Sequence, residues 1–333
     1  MRKNCVCFLL NLCLGFVMSS CMAFADHESP SSSGKAQEIK IACWNVQTFF
    51  DSVTEGTEYS DFIKNKAWNE DAYRVRLERL ASAIKEFDAD VVILEEIENE
   101  SVMHDIANYL AGEWSARKAY SHACFARNKG GAIGVGVLSR LELSSPRVHS
   151  LDIRGQSKMP DMRPLLQVTV HRGGHELTLF VNHWKSMSGG KEETEVWRQY
   201  QEGLLARRMA EKTRNNEAVL ACGDFNRDLS DFSAGNEKGT VVLNEFLEES
   251  ELAVKSLWYT QSDVLVEPGS YYYEGEWSRI DHFFTSGPVE VLDFTVQTDG
   301  PWCNETTHVP ERYMIFLGKG YSDHLPISCR VRF

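Results

Sequence analysis

The hydrophobic positions along the chain fall into two rhythms. Residues 39–46, "IKIACWNV", alternate as a strand does. Residues 90–97, "DVVILEEI", form the near-continuous apolar run of a strand buried on both faces. Residues 130–139, 165–170, 177–184, 217–225, 279–286, 289–296 and 324–333 read as further strands. Residues 68–87 carry Trp68, Ala72, Tyr73, Arg76, Leu77, Leu80, Ala81, Ile84 and Phe87 at helical spacing. A second helix is predicted over 194–214, where Trp197, Tyr200, Leu204, Leu205 and Met209 share a face. Two short helices are predicted at 101–111 and 241–250. Many strands interleaved with few helices, without an internal repeat or a mid-chain linker, predict one α/β domain over 39–333, built from two packed sheets with helices outside.

The first two dozen residues have a different pattern. Arg2 and Lys3 precede a mostly apolar stretch, Cys5 to Met18, and Ala23-Phe24-Ala25 offers a small-residue cleavage site. This predicts a signal peptide over 1–25; the competing reading is a buried N-terminal helix, since the run is short for a bilayer span. Ser19-Ser20-Cys21 gives a second processing route, in which Cys21 is acylated and tethers the chain to a membrane. Residues 26–38, "DHESPSSSGKAQE", read as a disordered linker or a frayed terminus. Export to the periplasm or the exterior follows from either route.

Charge narrows the partners. The chain of 333 residues carries a net charge of −13. Such a protein does not attract polyanions through its overall field, so a nucleic-acid substrate requires a local basic groove or bound cations. Of nine cysteines, four lie at Cys5, Cys7, Cys13 and Cys21. The other five, Cys43, Cys124, Cys222, Cys303 and Cys329, show neither disulfide nor zinc spacing. Cys43, Cys222 and Cys329 sit in strand-like runs and read as small buried hydrophobes. Nothing in the sequence calls for an obligatory protein partner.

Several apolar runs end in a restricted set of polar residues: Asn45, Glu96, His183, Asp224 with Asn226, Asp281, and Asp323 with His324. Residues i and i+2 of a strand face the same side, so Asp224 and Asn226 point together. Taken singly, each has an ordinary reading: a turn for "GDFN", a surface acid for Glu96, a hydrogen-bonded histidine for His183. Taken together, oxygen donors from Glu, Asp and Asn suit Mg²⁺, Mn²⁺ or Ca²⁺, and two histidines beside them suit acid–base work on a phosphate ester.

At these residues the sequence resembles the endonuclease/exonuclease/phosphatase superfamily, which includes deoxyribonuclease I. The resemblance runs in the family's order through "WNVQTFFD" (44–51), "ADVVILEEIEN" (89–99), "GVGVLSR" (134–140), "VNHWKS" (181–186), "GDFN" (223–226), "SRIDHFF" (278–284) and "SDHLPI" (322–327). It is nearest to secreted bacterial nuclease-like proteins. It implies a four-layered α/β sandwich of two mixed or antiparallel sheets flanked by helices, with the active site at the strand ends. It implies metal contacts from Glu96, Asn45 and Asp323. His324 matches the general base and Asp281 the acid that orients it. Asp224 and Asn226 match the pair at the scissile phosphate, and His183 the second histidine. Arg163, Arg279 and Lys185 are candidate substrate contacts, with a solvated surface arginine as the alternative for the first two. Tyr120 is a looser match.

The sequence departs from the family in two places. Glu95 stands where a glutamine usually precedes the metal glutamate; strand alternation turns it away from Glu96. No glutamate that could support His183 is identifiable in 117–131. The resemblance implies a divalent-cation-dependent phosphodiesterase that hydrolyses DNA or RNA by in-line attack of water. The alternatives are a hydrolase of lipid or inositol phosphates, and a non-catalytic surface binding protein on the same fold. "SYYYEGEW" (270–277) suits a lipid surface, unpaired bases or core packing. The acidic stretch "GGKEETEVW" (189–197) suits a substrate rim or a helix start.

Overall fold

The computed structural model describes residues 37–115, 118–151, 153, 159–245 and 250–333. The signal peptide and most of the linker expected from the sequence lie outside them. Gln37 and Glu38 already belong to the fold. Gln37 exchanges backbone hydrogen bonds with Phe333, and Glu38 opens the first strand.

In chain order the elements are β1 (Glu38–Phe49), α1 (Ser60–Lys64), α2 (Glu70–Phe87), β2 (Val91–Ile97), α3 (Glu100–Glu113), β3 (His122–Ala126), β4 (Gly134–Ser139), β5 (Leu143–His149), β6 (Leu165–Arg172) and β7 (His175–His183). There follow α4 (Lys191–Thr213), β8 (Ala218–Asp224), β9 (Ser233–Ala234), β10 (Thr240–Glu245), β11 (Ser250–Ser256), β12 (Tyr271–Tyr273), β13 (Glu276–Ser278), β14 (Asp281–Ser286), β15 (Glu290–Val296) and β16 (Ile327–Arg332).

Six strands form one sheet in the order β15-β16-β1-β2-β4-β3, and eight form another in the order β5-β6-β7-β8-β14-β11-β10-β9. Both mix parallel and antiparallel pairs: β1 runs parallel to β2 and β7 to β8, and their other neighbours are antiparallel. The sheets pack face to face through β1, β2 and β4 on one side and β7 and β8 on the other; α3 covers the first sheet and pairs with α2, and α4 covers the second. This is the four-layered sandwich. Its central strands are buried on both faces, which is why β2 and β8 read as continuous apolar runs.

Helix starts follow local chemistry. Asn69 and Asn99 cap α2 and α3, accepting from Ala72 and Val102 N–H. The acidic stretch 189–197 is a helix start, with Glu192 and Glu193 in the first turn of α4. All five cysteines of the described chain are free and buried. No helix among the described residues is long and apolar enough to cross a membrane.

One predicted element is corrected. Residues 241–250 do not form a helix. Thr240–Glu245 is a strand paired with β11, and 246–249 lie outside the described residues. Val241 and Leu243 are buried while Asn244 is exposed, so the period is two. Consecutive β-branched residues and a waiting edge at β11 outweigh the helical look of the Leu and Glu positions. The last predicted strand is also shorter: β16 starts at Ile327, and His324 sits in the loop before it.

Candidate active site

The site forms where β1, β2, β7, β8 and β14 end together. His183 on β7 lies beside Asp224 on β8, and Asp224 lies opposite Asp281 on β14. Sheet register alone therefore sets these three side by side. Gly223, just before Asp224, has φ +130°, and a side-chain carbon there would collide with the Asn182 carbonyl. Only glycine lets β8 approach β7 so closely.

On the facing sheet a bulge does the aiming. The β2 register shifts between Glu95 and Ile97, and Glu96 takes φ +65°. Glu96 thereby lines the cleft, while Glu95 turns into the protein interior and accepts from Cys43 Sγ at 3.1 Å. Burial pushes the Glu95 carboxyl well above its ordinary range. A protonated Glu95 has the shape of the glutamine usual at this position, with one donor hydrogen in place of two.

Glu96 is held from two sides. Thr48 N–H donates to Oε2 at 2.6 Å, and Asn45 Nδ2 to Oε1 at 3.2 Å. The same Asn45 amide donates to Asp224 Oδ2 at 3.0 Å, while its Oδ1 accepts from Gln47 N–H. Asn45 was expected to help bind the metal. It stands between two carboxylates with its nitrogen toward both, so it positions those carboxylates and turns its oxygen to Gln47. Gln47 and Thr48 have positive φ. Buried Arg76 latches this turn by donating to the carbonyls of Val46, Gln47 and Thr48 at 3.1, 2.5 and 3.0 Å. Its guanidinium also lies 3.6 Å from the Tyr313 ring centre. The helical pattern showed Arg76 on the buried face of α2 without its role, because the partners are backbone atoms.

His324 Nδ1 lies 2.9 Å from Asp281 Oδ2. Burial alone would lower this histidine, but the charges of Asp281, Asp224 and Asp323 outweigh it and hold its pKa well above the ordinary value. The loop is fixed by Ser322, whose hydroxyl donates to Asn45 O at 2.5 Å and accepts from His324 N–H. Trp44 Nε1 donates to His324 O at 2.9 Å. Asp224 receives Asn226 N–H at 2.7 Å and Asn226 Nδ2 at 3.0 Å. Burial raises its pKa, Asp281 adds to that, and His324 opposes it.

His183 Nε2 stands 3.6 Å from Asp224 and 3.8 Å from Glu96, outside hydrogen-bond range. Its Nδ1 is buried and has no partner among the described residues, so no glutamate supports it. Burial, then Arg163, His324 and Lys185, keep it well below its ordinary pKa and neutral.

The remaining candidates divide. Arg163 borders the same small cavity as His183 and donates to Trp184 O at 2.5 Å. Lys185 follows β7 but turns its Nζ onto Ser186 at 3.1 Å. Arg279 is not brought into the cleft. It pairs with Glu267 at 2.5 Å and lies over Trp258. Tyr120 is buried with its hydroxyl on Ala89 O, away from the cleft.

The cleft itself has a volume of about 1020 Å³, with Glu96, Asp323, Asp224, Asn226, His183 and His324 at its floor. Two features mark its walls, the first of them within the aromatic stretch 270–277 singled out in the sequence. Tyr271 and Tyr273 project from one face of β12, rings 6.4 Å apart and 14° from parallel, and Tyr271 lies 4.8 Å from His324. On the other wall the 313–320 segment closes through a Met314–Lys319 bridge, with Phe316 70% and Leu317 63% exposed at its tip.

The donors fit a divalent cation. Glu96 and Asp323 share the cleft, and the charge of Asp323 adds to the burial that raises Glu96, a repulsion that a cation between them would relieve. The donors are hard oxygens with no thiolate among the cleft residues, which suits Mg²⁺, Mn²⁺ or Ca²⁺.

Comparisons with known proteins agree with this fold. The model of an endonuclease/exonuclease/phosphatase family matches residues 40–298. No curated protein matches the chain by sequence. Among solved structures, truncated TDP2 of Caenorhabditis elegans superposes with a TM-score of 0.57 at 17% identity, covering 89% of this chain and 98% of that one. ANGEL2, a 2',3'-cyclic phosphatase, gives 0.58 at 14% identity over 89% and 95%. A mannosyl-6-phosphatase of Bacteroides thetaiotaomicron gives 0.54 at 17% identity over 89% and 100%. At these identities the likeness is one of fold.

Proposed function

The chain belongs to the endonuclease/exonuclease/phosphatase family of metal-dependent phosphoester hydrolases, and on that footing we propose that it is an exported phosphodiesterase that cleaves nucleic acid. The observation that carries the nucleic-acid reading is the tyrosine pair. Tyr271 and Tyr273 form a flat track that begins against His324 and runs to the rim. Bases stack on such surfaces in a sequence-tolerant way. The track also answers the acidity of the chain, because stacking supplies affinity that the overall field does not.

In the proposed reaction His324, oriented by Asp281, takes the proton from the attacking water. Neutral His183 donates a hydrogen bond to a phosphate or leaving oxygen. Asn226, whose Nδ2 donates to Asp224 and to Trp184 O, holds Asp224 at the cleft floor, and Asn45 fixes Glu96 and Asp224. Glu96 and Asp323 would hold the cation, with Mg²⁺ or Mn²⁺ the first choice; it would neutralise charge at the phosphate. The signal peptide at 1–25, or acylation at Cys21, supports export.

The test is cleavage of supercoiled plasmid and single-stranded circular DNA by the purified protein with Mg²⁺ or Mn²⁺. Cleavage that is abolished by EDTA, by Glu96→Gln and by His324→Ala supports the reading. Cleavage that survives both substitutions overturns the assignment of the site.

A second reading, hydrolysis of a lipid phosphoester, is favoured by the exposed Phe316–Leu317 tip beside the cleft. Hydrolysis of sphingomyelin vesicles in the absence of any nucleic-acid cleavage would make it the better one.

A further inference from the structure

His183 is 2% exposed and borders two spaces, the catalytic cleft and a small cavity of about 10 Å³. Arg163 borders the same small cavity. It is pinned beside His183, because its Nη2 donates to the carbonyl of the next residue, Trp184, at 2.5 Å. Two buried atoms of this pair have no hydrogen-bond partner among the described residues: His183 Nδ1 and Arg163 Nε. The other polar side chains around the cavity are committed. Asn182 Nδ2 donates to Phe180 O at 2.9 Å and Cys222 O at 3.2 Å, and its Oδ1 accepts from Trp184 Nε1 at 3.0 Å. Gln201 Oε1 accepts from Lys185 N–H at 2.7 Å, and its Nε2 turns to His183 O at 3.5 Å.

The two unpartnered atoms are complementary. Arg163 Nε carries a hydrogen and can only donate. His183 Nε2 faces Asp224 at 3.6 Å and Glu96 at 3.8 Å. Two carboxylates on that side favour the ring proton on Nε2, which leaves Nδ1 as an acceptor. A buried donor and a buried acceptor are both costly when left unpaired. The cavity has room for one water, and buried waters settle where polar partners flank them. We propose that a water bridges Arg163 Nε to His183 Nδ1, accepting from the guanidinium and donating to the imidazole. Arg163 is then a positioning residue that keeps the Nε2–H of His183 aimed into the cleft. A carboxylate at Nδ1 would draw the proton to the opposite nitrogen, so the lack of a supporting glutamate and the place of Arg163 agree. Resting on the reading of His183 as the donor to a phosphate or leaving oxygen, this assigns Arg163 to support instead of direct substrate contact.

The first test needs no substrate. Long-range proton–nitrogen correlation spectra of the full chain, isotope-labelled at histidine, report which ring nitrogen is protonated, and His183→Gln assigns the signal by its loss. The proton is expected on Nε2, with Nδ1 shifted as a hydrogen-bond acceptor. Arg163→Met keeps the stem and removes the donor, so it should move Nδ1 toward an unbonded nitrogen. Arg163→Lys still donates and should move it less; it carries the comparison if Arg163→Met does not fold, which circular dichroism reports. The second test is a mutant cycle on kcat with a single-stranded oligonucleotide and Mg²⁺. Arg163→Met should lower kcat about tenfold in the wild-type background and leave it nearly unchanged in His183→Gln, where no imidazole remains to orient. A proton on Nδ1, or an Nδ1 signal that neither Arg163 variant moves, overturns the water bridge. Equal losses in both backgrounds overturn the positioning role and place Arg163 on the substrate. A protein that cuts no nucleic acid refutes the nuclease reading, and the spectra alone then decide the bridge.

Discussion

Asp281 and Asp224 face each other across the antiparallel β14–β8 pair, and His324 donates a hydrogen bond to only one of them. Its Nδ1 lies 2.9 Å from Asp281, and its Nε2 stays 3.9 Å from Asp224. Asp224 is already engaged by the amides of Asn45 and Asn226. Two carboxylates in identical sheet positions thus have separate tasks, one orienting an imidazole and one gathering amides at the cleft floor.

This division predicts a pH profile. Burial lowers His324, and the charges of Asp281, Asp224 and Asp323 outweigh it, so the imidazole holds its proton above the ordinary histidine range. The base form then appears only as pH rises through that elevated value, and activity should climb along the same limb. Asp281→Asn removes the largest of the favourable charges. The limb should move to lower pH while the plateau falls by about 10²–10⁴-fold as the imidazole loses its orienting partner. Profiles of kcat/KM for both proteins check this, and a limb that does not move removes His324 from the role of base.

Arg76 is predicted to act on catalysis without touching substrate. It donates to three carbonyls of the turn whose Thr48 N–H holds Glu96. Arg76→Met keeps the stem and removes all three donors. The expected cost is about 3 kcal/mol of stability, and about 10²-fold in kcat from a misplaced Glu96. Denaturant unfolding and initial rates at saturating cation separate the two. Weakened activation by metal, with KM for substrate unchanged, distinguishes positioning from general loosening.

Glu95→Gln should stabilise the fold at neutral pH. The Glu95 carboxyl is raised well above its ordinary range by burial. A group raised in the folded state contributes stability below its unfolded value and loses that contribution as pH rises toward the folded one. Wild type should therefore lose stability relative to the glutamine variant from about pH 5 upward, by at most about 1.4 kcal/mol per pH unit. Urea unfolding of both across about pH 5–8 makes the comparison. A constant difference over that range would mean that Glu95 is ionised in the fold.

Much of this site is legible in the sequence because buried central strands are apolar to their last residue. A polar residue at such an end, as at Asp224 or His183, stands out. The two sheets follow from the same runs. What the sequence does not carry is register: nothing local places Asp281 opposite Asp224. Short half-exposed strands such as β3, β5 and β12 lack an apolar run and are missed. Residues 241–250 read as a helix from their Leu and Glu positions, and only the pairing of Thr240–Glu245 with β11 shows the strand. Arg279 resembles a phosphate contact until the fold supplies Glu267 beside it. No element is predicted over 314–317, where Phe316 and Leu317 are exposed at the rim; hydropathy alone does not tell a buried run from a hairpin tip.

The tyrosine track leads to the last prediction. Tyr273 is 60% exposed and points along the same face as Tyr271, which abuts His324. Bases in a duplex are stacked on each other and closed to such a surface, whereas unpaired bases can lie on it. Single strands should therefore be cut faster than duplex. Tyr273→Ala should raise KM for a single-stranded oligonucleotide by about 5- to 100-fold, the loss of one stacked base, and leave kcat nearly unchanged because Tyr273 does not touch the His324–Asp281 pair. Tyr273→Phe keeps the ring and should behave as wild type. The affinity should also fall less steeply with salt than it does for a basic nuclease, since stacking rather than phosphate neutralisation carries it. Rates on matched single- and double-stranded oligonucleotides at two salt concentrations measure all three effects. Equal losses on both substrates for the alanine variant would assign Tyr273 to the architecture of the wall, not to recognition.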